Sequence, residues 1–506
     1  MIRRLGGLAA LAGLALALLA QAAGAAVVEK DRVVRSFDGT RIVYTLMLPD
    51  SASAASPVPA VMMTHGWGGT GQDTPDGFAG KLLDHGYAVL TWDQRGFGDS
   101  GGQAEIDDPR YEGRDAKRLV GVLAADPRIA KEAPGDPLVG MVGGSYAGGI
   151  QWVTAAQDPR VDAIVPQISW HNLLQSLIPQ GVVKLQWDLL LYGDGAATTA
   201  TGGVLPPNPG GTQTGSYDPM IHRAFVQGTT LGRFGPRVSA WFAAKGPDYL
   251  LRRVRVPTFI IQGTVDTLFP PSQGVANYRA MQALHPGQPL KMAFYCGGHG
   301  TCSFDPGPAD YIDDETIAWL DRYVKGDASV ATGPAFEYVT QDGVWHGASD
   351  YPVPGTVRRT ASGSGLVAVN GAPTTSGGLP GAAPSPAALG VPLPSAPGTL
   401  IGAPHVTLTE RSAGAAEDGL SRLNLFLQVV DETDGVVVGN QVTPVALRAD
   451  GRDHTYSLSL EPIAYTIEPG HRLALQIAST AAGYEANRGA GVVNLKRVSV
   501  SVPALP

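Results

Sequence analysis

From Val33 to about Gly326 the chain repeats one pattern: a short, wholly apolar run, a turn, then residues at helical spacing. The runs are Arg41–Leu48, Pro59–Thr64, Tyr87–Trp92, Leu138–Val142, Ala163–Ile168, Thr258–Gln262 and Lys291–Tyr295. Strands apolar on both faces need cover on both faces, and a parallel sheet between two layers of helices supplies it. Asp115–Ala125 and Ala309–Lys325 read as two of those helices. In the second, Ile317, Leu320 and Tyr323 recur at helical spacing and Gly326 is the stop.

The rhythm breaks twice. From about residue 170 to 250 a helical stretch (Leu173–Leu191, broken near Pro179) leads into a Gly/Thr/Pro-rich loop from Gly193 to Ser216. This reads as a cap inserted over the carboxyl ends of the strands, where open α/β sheets bind ligands. From Phe336 onward the runs are short and alternating, as in Leu425–Val430, His454–Leu458, Arg472–Ile477 and Val493–Val502. That spacing predicts an antiparallel β-sandwich. Residues 372–397, rich in Pro, Gly, Ala and Ser, read as a surface loop. The expected division is a leader over 1–25, an α/β domain over 26–326 and an all-β domain over 327–506.

The leader carries Arg3 and Arg4, an uncharged Leu/Ala run from Leu5 to Ala20, and Ala23-Gly24-Ala25 as a small-x-small cleavage site. Left uncut, Leu5–Val28 is long enough to span a membrane. Cleaved, it yields a secreted or periplasmic chain with no stable membrane anchor, and losing the two arginines takes the net charge from −8 to −10. No run of Lys and Arg stands out, which argues against a nucleic-acid partner. Glycine (66) and proline (40) make up about a fifth of the 506 residues, yet 44% are hydrophobic, which excludes wholesale disorder. Two cysteines exclude a disulfide-rich scaffold or an iron–sulfur protein. The composition leaves the oligomeric state open.

Chemistry concentrates at strand ends. Gly143-Gly-Ser145-Tyr146-Ala147-Gly148 follows an apolar strand and precedes a helix, the setting of a nucleophile elbow, in which small residues must flank the serine. A serine needs a base to take its proton. Downstream, Asp266 closes the run Ile260–Gly263, and His299 lies among glycines after Phe294-Tyr295. This is the order nucleophile, acid, histidine found in α/β-hydrolases. Ser145 would attack, His299 would serve as base and then acid, and Asp266 would orient the imidazole. His65-Gly66-Trp67-Gly68-Gly69 follows the Pro59–Thr64 strand, so the backbone N–H of Trp67, with that of Tyr146, would form the oxyanion hole. Asp93–Ser100 reads as a structural turn, and His171 precedes Asp266, outside the triad order. Trp170, Trp187 and Asp188 are candidates for substrate contact, with plain packing the competing role for the tryptophans.

Cys296 and Cys302 flank His299. In an oxidising compartment a disulfide across this loop is expected, contributing about 2 kcal/mol by chain entropy and holding the histidine. Free buried thiols are the second possibility. A Cys-His-Cys metal site is a third, short of a fourth ligand. No metal or other cofactor is expected.

These residues resemble those of the X-Pro dipeptidyl-peptidase and cocaine-esterase family of serine hydrolases. The likeness rests on the elbow, the Asp93-Gln-Arg-Gly-Phe-Gly-Asp-Ser100 turn, the Asp266 and His299 loops and the helix ending Trp319-Leu-Asp-Arg-Tyr-Val-Lys-Gly326. Trp345, Leu425–Asp431 and Ile467–Leu473 are similar to parts of that family's jelly-roll domain. The resemblance implies an α/β-hydrolase fold with a helical cap, followed by a jelly-roll-like sandwich. It implies cleavage of a small ester or peptide through an acyl-enzyme, with dipeptidyl-peptidase, carboxylesterase and acylase activities all open. Many members use a tyrosine hydroxyl at the oxyanion; here that loop offers Trp67 instead. The peptidases hold the substrate's amino terminus with cap carboxylates, for which Asp188 and Asp194 are available. The reading from another class is a non-catalytic glycan- or peptide-binding protein.

Overall fold

The computed structural model describes residues 26–199, 217–369, 384–385, 387–416 and 422–506. The expected leader lies outside these residues, as do 200–216 of the expected cap loop and half of the loop expected over 372–397.

A ten-stranded sheet organises the first part of the chain. Its strands are β1 (Val27–Arg35), β2 (Arg41–Leu48), β3 (Ala60–Thr64), β4 (Ala88–Trp92), β7 (Val139–Gly144), β8 (Ala163–Gln167), β9 (Thr258–Gly263), β10 (Leu290–Tyr295), β11 (Phe336–Val339) and β12 (Trp345–Ala348); β5 (Lys131–Ala133) and β6 (Asp136–Pro137) form a separate hairpin. The order is β1-β2-β4-β3-β7-β8-β9-β10-β11-β12, parallel from β4 through β11 and antiparallel at both ends. Alternate side chains supply two cores. Met62, Leu90, Met141 and Ile260 pack under α2 (Glu112–Ala125), α3 (Tyr146–Gln157) and α8 (Pro271–Leu284). Val61, Val89, Val142 and Ile261 pack under α1 (Gly77–Asp84) and α9 (Tyr311–Tyr323). This is the two-sided cover that the apolar runs require.

Two strands beyond residue 326 belong to this sheet. β11 pairs in parallel with β10, and β12 closes the edge, where Trp345 stacks on Tyr311 at 4.0 Å. Trp345, read above as part of the all-β domain, is therefore an edge residue of the α/β sheet. The reason is topological: after α9 the chain returns to an unfilled sheet edge before leaving for the second domain. A strand, Leu389–Pro392, also stands where the surface loop was expected, paired with Leu473–Ala478.

The remainder forms two antiparallel sheets. One is built on the long strand Gly489–Leu505, flanked by Val357–Val369 and His405–Ala416. The other is built on Arg422–Asp431, flanked by Thr443–Arg448 and Leu473–Ala478. Leu408 and Val498 from the first sheet meet Leu425 and Ile477 from the second in one core, a β-sandwich.

Between β8 and β9 lies the cap: α4 (Leu173–Leu177), a 3-10 turn at Pro179–Gly181, α5 (Leu185–Thr199), α6 (Pro219–Leu231) and α7 (Pro236–Ala243). The expected break at Pro179 is present. The sandwich grips this cap: the Arg422 guanidinium donates to Gly181 O at 2.6 Å and the Arg488 guanidinium to Thr230 O at 2.7 Å. Among the described residues no helix is long and apolar enough to cross a membrane.

Candidate active site

Ser145 stands where β7 turns into α3, with φ 60° and ψ −122°. A non-glycine residue there costs of order 1–3 kcal/mol, and the surrounding packing must hold it. A Cβ on Gly143 would sit 2.7 Å from Ala147 Cβ, and one on Gly148 2.6 Å from Gln167 O. This crowding is why small residues flank the serine.

His299 Nε2 lies 2.8 Å from Ser145 Oγ, and His299 Nδ1 lies 2.8 Å from Asp266 Oδ2. The Asp266 carboxylate is fully buried and its other oxygen accepts the N–H groups of Leu268 and Phe269 at 2.9 and 2.8 Å. With Nδ1–H donating to this carboxylate, Nε2 is the free lone pair facing the serine hydroxyl. The acid and histidine loops meet closely: a Cβ on Gly298 (φ 111°) would lie 2.6 Å from Asp266 Cβ. Cys296 and Cys302 are joined in a disulfide that closes the loop carrying His299, so neither thiol is a free metal ligand.

The loop after β3 reaches the serine, since a Cβ on Gly66 would touch Ser145 Cβ at 3.9 Å. His65 anchors it: Nδ1–H donates to Gly66 O at 2.7 Å, and Nε2 accepts from Gln94 N at 2.9 Å. Burial pushes the His65 imidazole down to about 4, against the raising effect of Gly66 O, so it stays neutral and structural. The Trp67 indole stacks on Tyr217 at 5.5 Å and donates to Leu191 O at 2.9 Å. Asp93 accepts Gly71 N and Asp99 N, both at 2.6 Å, and Arg95 pairs with Asp115. The Asp93–Ser100 turn is thus structural scaffolding for the loop.

Ser145 opens into a cavity of about 80 Å³ between sheet and cap, walled by Trp67, Tyr146, Leu173, Leu191, Phe242 and Phe269. Its walls are almost wholly apolar. Asp188 is the exception, with Oδ2 buried and without a hydrogen-bond partner. Burial, and then the charge of Glu485, push this carboxyl up to about 7. Asp194 sits over the oxyanion loop, where a Cβ on Gly68 would come within 2.6 Å of its carboxylate.

The sequence candidates thus converge. Ser145, Tyr146, Trp67, Trp170 and Asp188 border one cavity, and His299 meets Trp187 edge-on at 5.7 Å. Trp170 is a wall residue, its indole donating to Lys245 O at 2.6 Å, and the Trp187 indole donates to Thr267 Oγ1 at 3.1 Å. Two contributors were not legible in sequence. Lys184 in the cap donates to Thr267 O (2.7 Å) and Leu268 O (2.9 Å), and Gln441 in the sandwich donates to Asp266 O. Both act from distant segments on the loop behind the acid, and no motif marks such residues. Among the described residues, one group could offer three metal-ligating atoms: Asp431, Asp434 and His471 in the sandwich. There Asp431 already accepts hydrogen bonds from Tyr465 and His471.

A nucleophile elbow, an acid and a histidine on the carboxyl ends of a parallel sheet under a helical cap define an α/β-hydrolase. The model of the X-Pro dipeptidyl-peptidase (S15) family matches residues 38–301. That is more than half of the chain: it belongs to this family, and is a serine hydrolase of that type. Among solved structures, an alpha-amino acid ester hydrolase aligns with TM-score 0.71 at 14% identity, covering 96% of this chain and 97% of its own. An aminopeptidase from a marine sediment Thaumarchaeota archaeon aligns with TM-score 0.69 at 14% identity, covering 95% and 97%. A CocE/NonD family hydrolase from Staphylococcus aureus aligns with TM-score 0.66 at 13% identity, covering 95% and 94%. These likenesses show the two-domain fold. Among curated proteins, the quorum-quenching protein AidA of Acinetobacter baumannii is 35% identical over 111 residues, 22% of this chain and 34% of AidA. The chain spans about a third of the length of the curated relatives it matches.

Proposed function

We propose that this chain is an extracytoplasmic serine hydrolase that cleaves an ester or amide through an acyl-enzyme, with X-Pro dipeptidyl-peptidase-like substrates. The observation that carries the reading is the unbroken chain Ser145 Oγ–His299–Asp266, each link at 2.8 Å. Ser145 Oγ bonds to the substrate's carbonyl carbon as its proton passes to His299 Nε2. The N–H groups of Tyr146 and Trp67 take the oxyanion. The tetrahedral adduct collapses, the carbon–nitrogen or carbon–oxygen bond breaks, and His299 gives the proton to the leaving group. Water, deprotonated by His299, then releases the acid and restores Ser145.

Asp188 supports a substrate with a free amino terminus: an ammonium would fill its unpartnered oxygen. A carboxylesterase or acylase is the second reading, favoured by the small apolar cavity, which suits a short acyl group. The disulfide supports export by the expected leader.

The test compares the protein with its Ser145→Ala variant on a short-chain aryl ester and on an alanyl-prolyl anilide. Turnover that survives in Ser145→Ala sinks the mechanism. Serine-dependent anilide cleavage that is lost when the amine is blocked selects the peptidase. Ester cleavage alone selects the second reading.

A further inference from the structure

The fold assembles a basic concavity that no linear run of charge announces. Along α2, Arg114, Lys117 and Arg118 fall at helical spacing on one exposed face. Arg35 at the end of β1, Arg160 after α3 and Arg253 after the cap converge on the same face, with Arg110 at its rim; together these seven line a depression of about 1070 Å³ that has no acidic residue in its lining. They come from four separate segments of a chain whose net charge is −8.

The neighbouring carboxylates are already engaged. Asp38 and Asp115 pair with Arg95, Asp108 with Arg110 and Lys245, and Asp158 with Arg160. Arg35, Arg114, Lys117, Arg118 and Arg253 form no ion pair among the described residues. The Arg114 guanidinium carbon lies over the Phe37 ring, 3.4 Å from its centroid, a cation–π contact that holds the charge at this face. Five like charges in one hollow repel one another, so an unliganded surface of this kind carries an electrostatic cost that a polyanion would relieve.

We propose that this concavity is a binding site for a compact polyanion carrying several phosphate groups. Arginine dominates the set, and its planar fork matches phosphate oxygens two at a time. The hollow is open to solvent, so a ligand reaches the arginines without any rearrangement of the fold. The phosphates can come from a soluble molecule or from a headgroup at a membrane surface; the chemistry at the arginines is the same.

Binding of inorganic tripolyphosphate to the whole protein is measured by calorimetry at low and at physiological salt. We expect saturable binding that weakens with salt, and that falls at least about tenfold in an Arg114→Gln/Arg118→Gln double variant. Arg35→Gln weakens it independently, while Lys496→Gln, on the sandwich, leaves it unchanged. Ester turnover by the double variant, equal to that of the parent, reports that it folds. Vesicles of phosphatidylglycerol that bind and are displaced by tripolyphosphate place the source at a membrane. Tripolyphosphate binding with no vesicle binding places it in solution. Absent tripolyphosphate binding, or binding untouched by the double variant, overturns the proposal. So does single-stranded RNA that binds more tightly than tripolyphosphate through the same arginines, which would make this a nucleic-acid face.

Discussion

The side-chain amide of Gln441, in the sandwich domain, donates to the backbone carbonyl of Asp266 at 2.9 Å and to that of Thr264 at 3.0 Å. The second domain therefore reaches the loop that carries the acid, more than 170 residues earlier in the chain. Lys184 holds the next two carbonyls of the same loop from the cap side. The position of Asp266 is set jointly by three parts of the fold.

Gln441→Ala leaves two buried carbonyls without a donor, at a cost of about 1–3 kcal/mol. The expected signature is a lower melting temperature together with a lower kcat and a nearly unchanged KM, because the loop moves the imidazole rather than the acyl cavity. Steady-state kinetics alongside thermal melts check this. A raised KM at constant kcat would assign Gln441 to binding instead.

Asp266→Asn keeps the shape but removes the charge that orients Nδ1–H. By analogy with other serine triads kcat should fall on the order of 10⁴-fold, with KM little altered. Covalent labelling by a fluorophosphonate should slow in parallel. Labelling at the parent rate would place the base elsewhere.

Asp188 gives a pH signature. Burial holds its carboxyl protonated to about pH 7. Below that value the neutral acid attracts an ammonium weakly; above it the carboxylate attracts strongly. KM for substrates with a free amine should therefore fall as pH rises through about 7, until the amine itself loses its proton. Asp188→Asn should abolish that dependence and raise KM for amine-bearing substrates. The same pH trend in the Asn variant would exclude Asp188 as its source.

Replacing Cys296 and Cys302 together by alanine should lower stability by about 2 kcal/mol, since the closed loop is short. A fall in kcat is also expected, because the bridge closes the loop that carries His299. Activity measured well below the melting temperature separates the two. Unaltered kcat there would confine the bridge to stability.

Much of this protein is written locally. The apolar runs are buried strands because alternate residues of each face separate helical layers: Met62 looks one way and Val61 the other. Ser145, Asp266 and His299 are legible because each occupies a strand end, and strand ends of a parallel sheet converge whatever the intervening length. The elbow's small residues answer a contact within the same turn, Gly143 against Ala147. Three features depend on separations too long for any local pattern to encode. β11 and Trp345 join the first sheet because an edge strand was available to receive them. Gln441 and Lys184 act on carbonyls supplied by another segment, and backbone carbonyls leave no trace in residue type. The basic hollow arises because α2, β1 and two loops pack side by side, so charges dispersed along the chain become neighbours in space. Periodicity and strand-end placement are local, and they carry the layered architectures and the candidate triad. What braces those residues, and which distant charges meet, follows from packing between segments far apart in the chain.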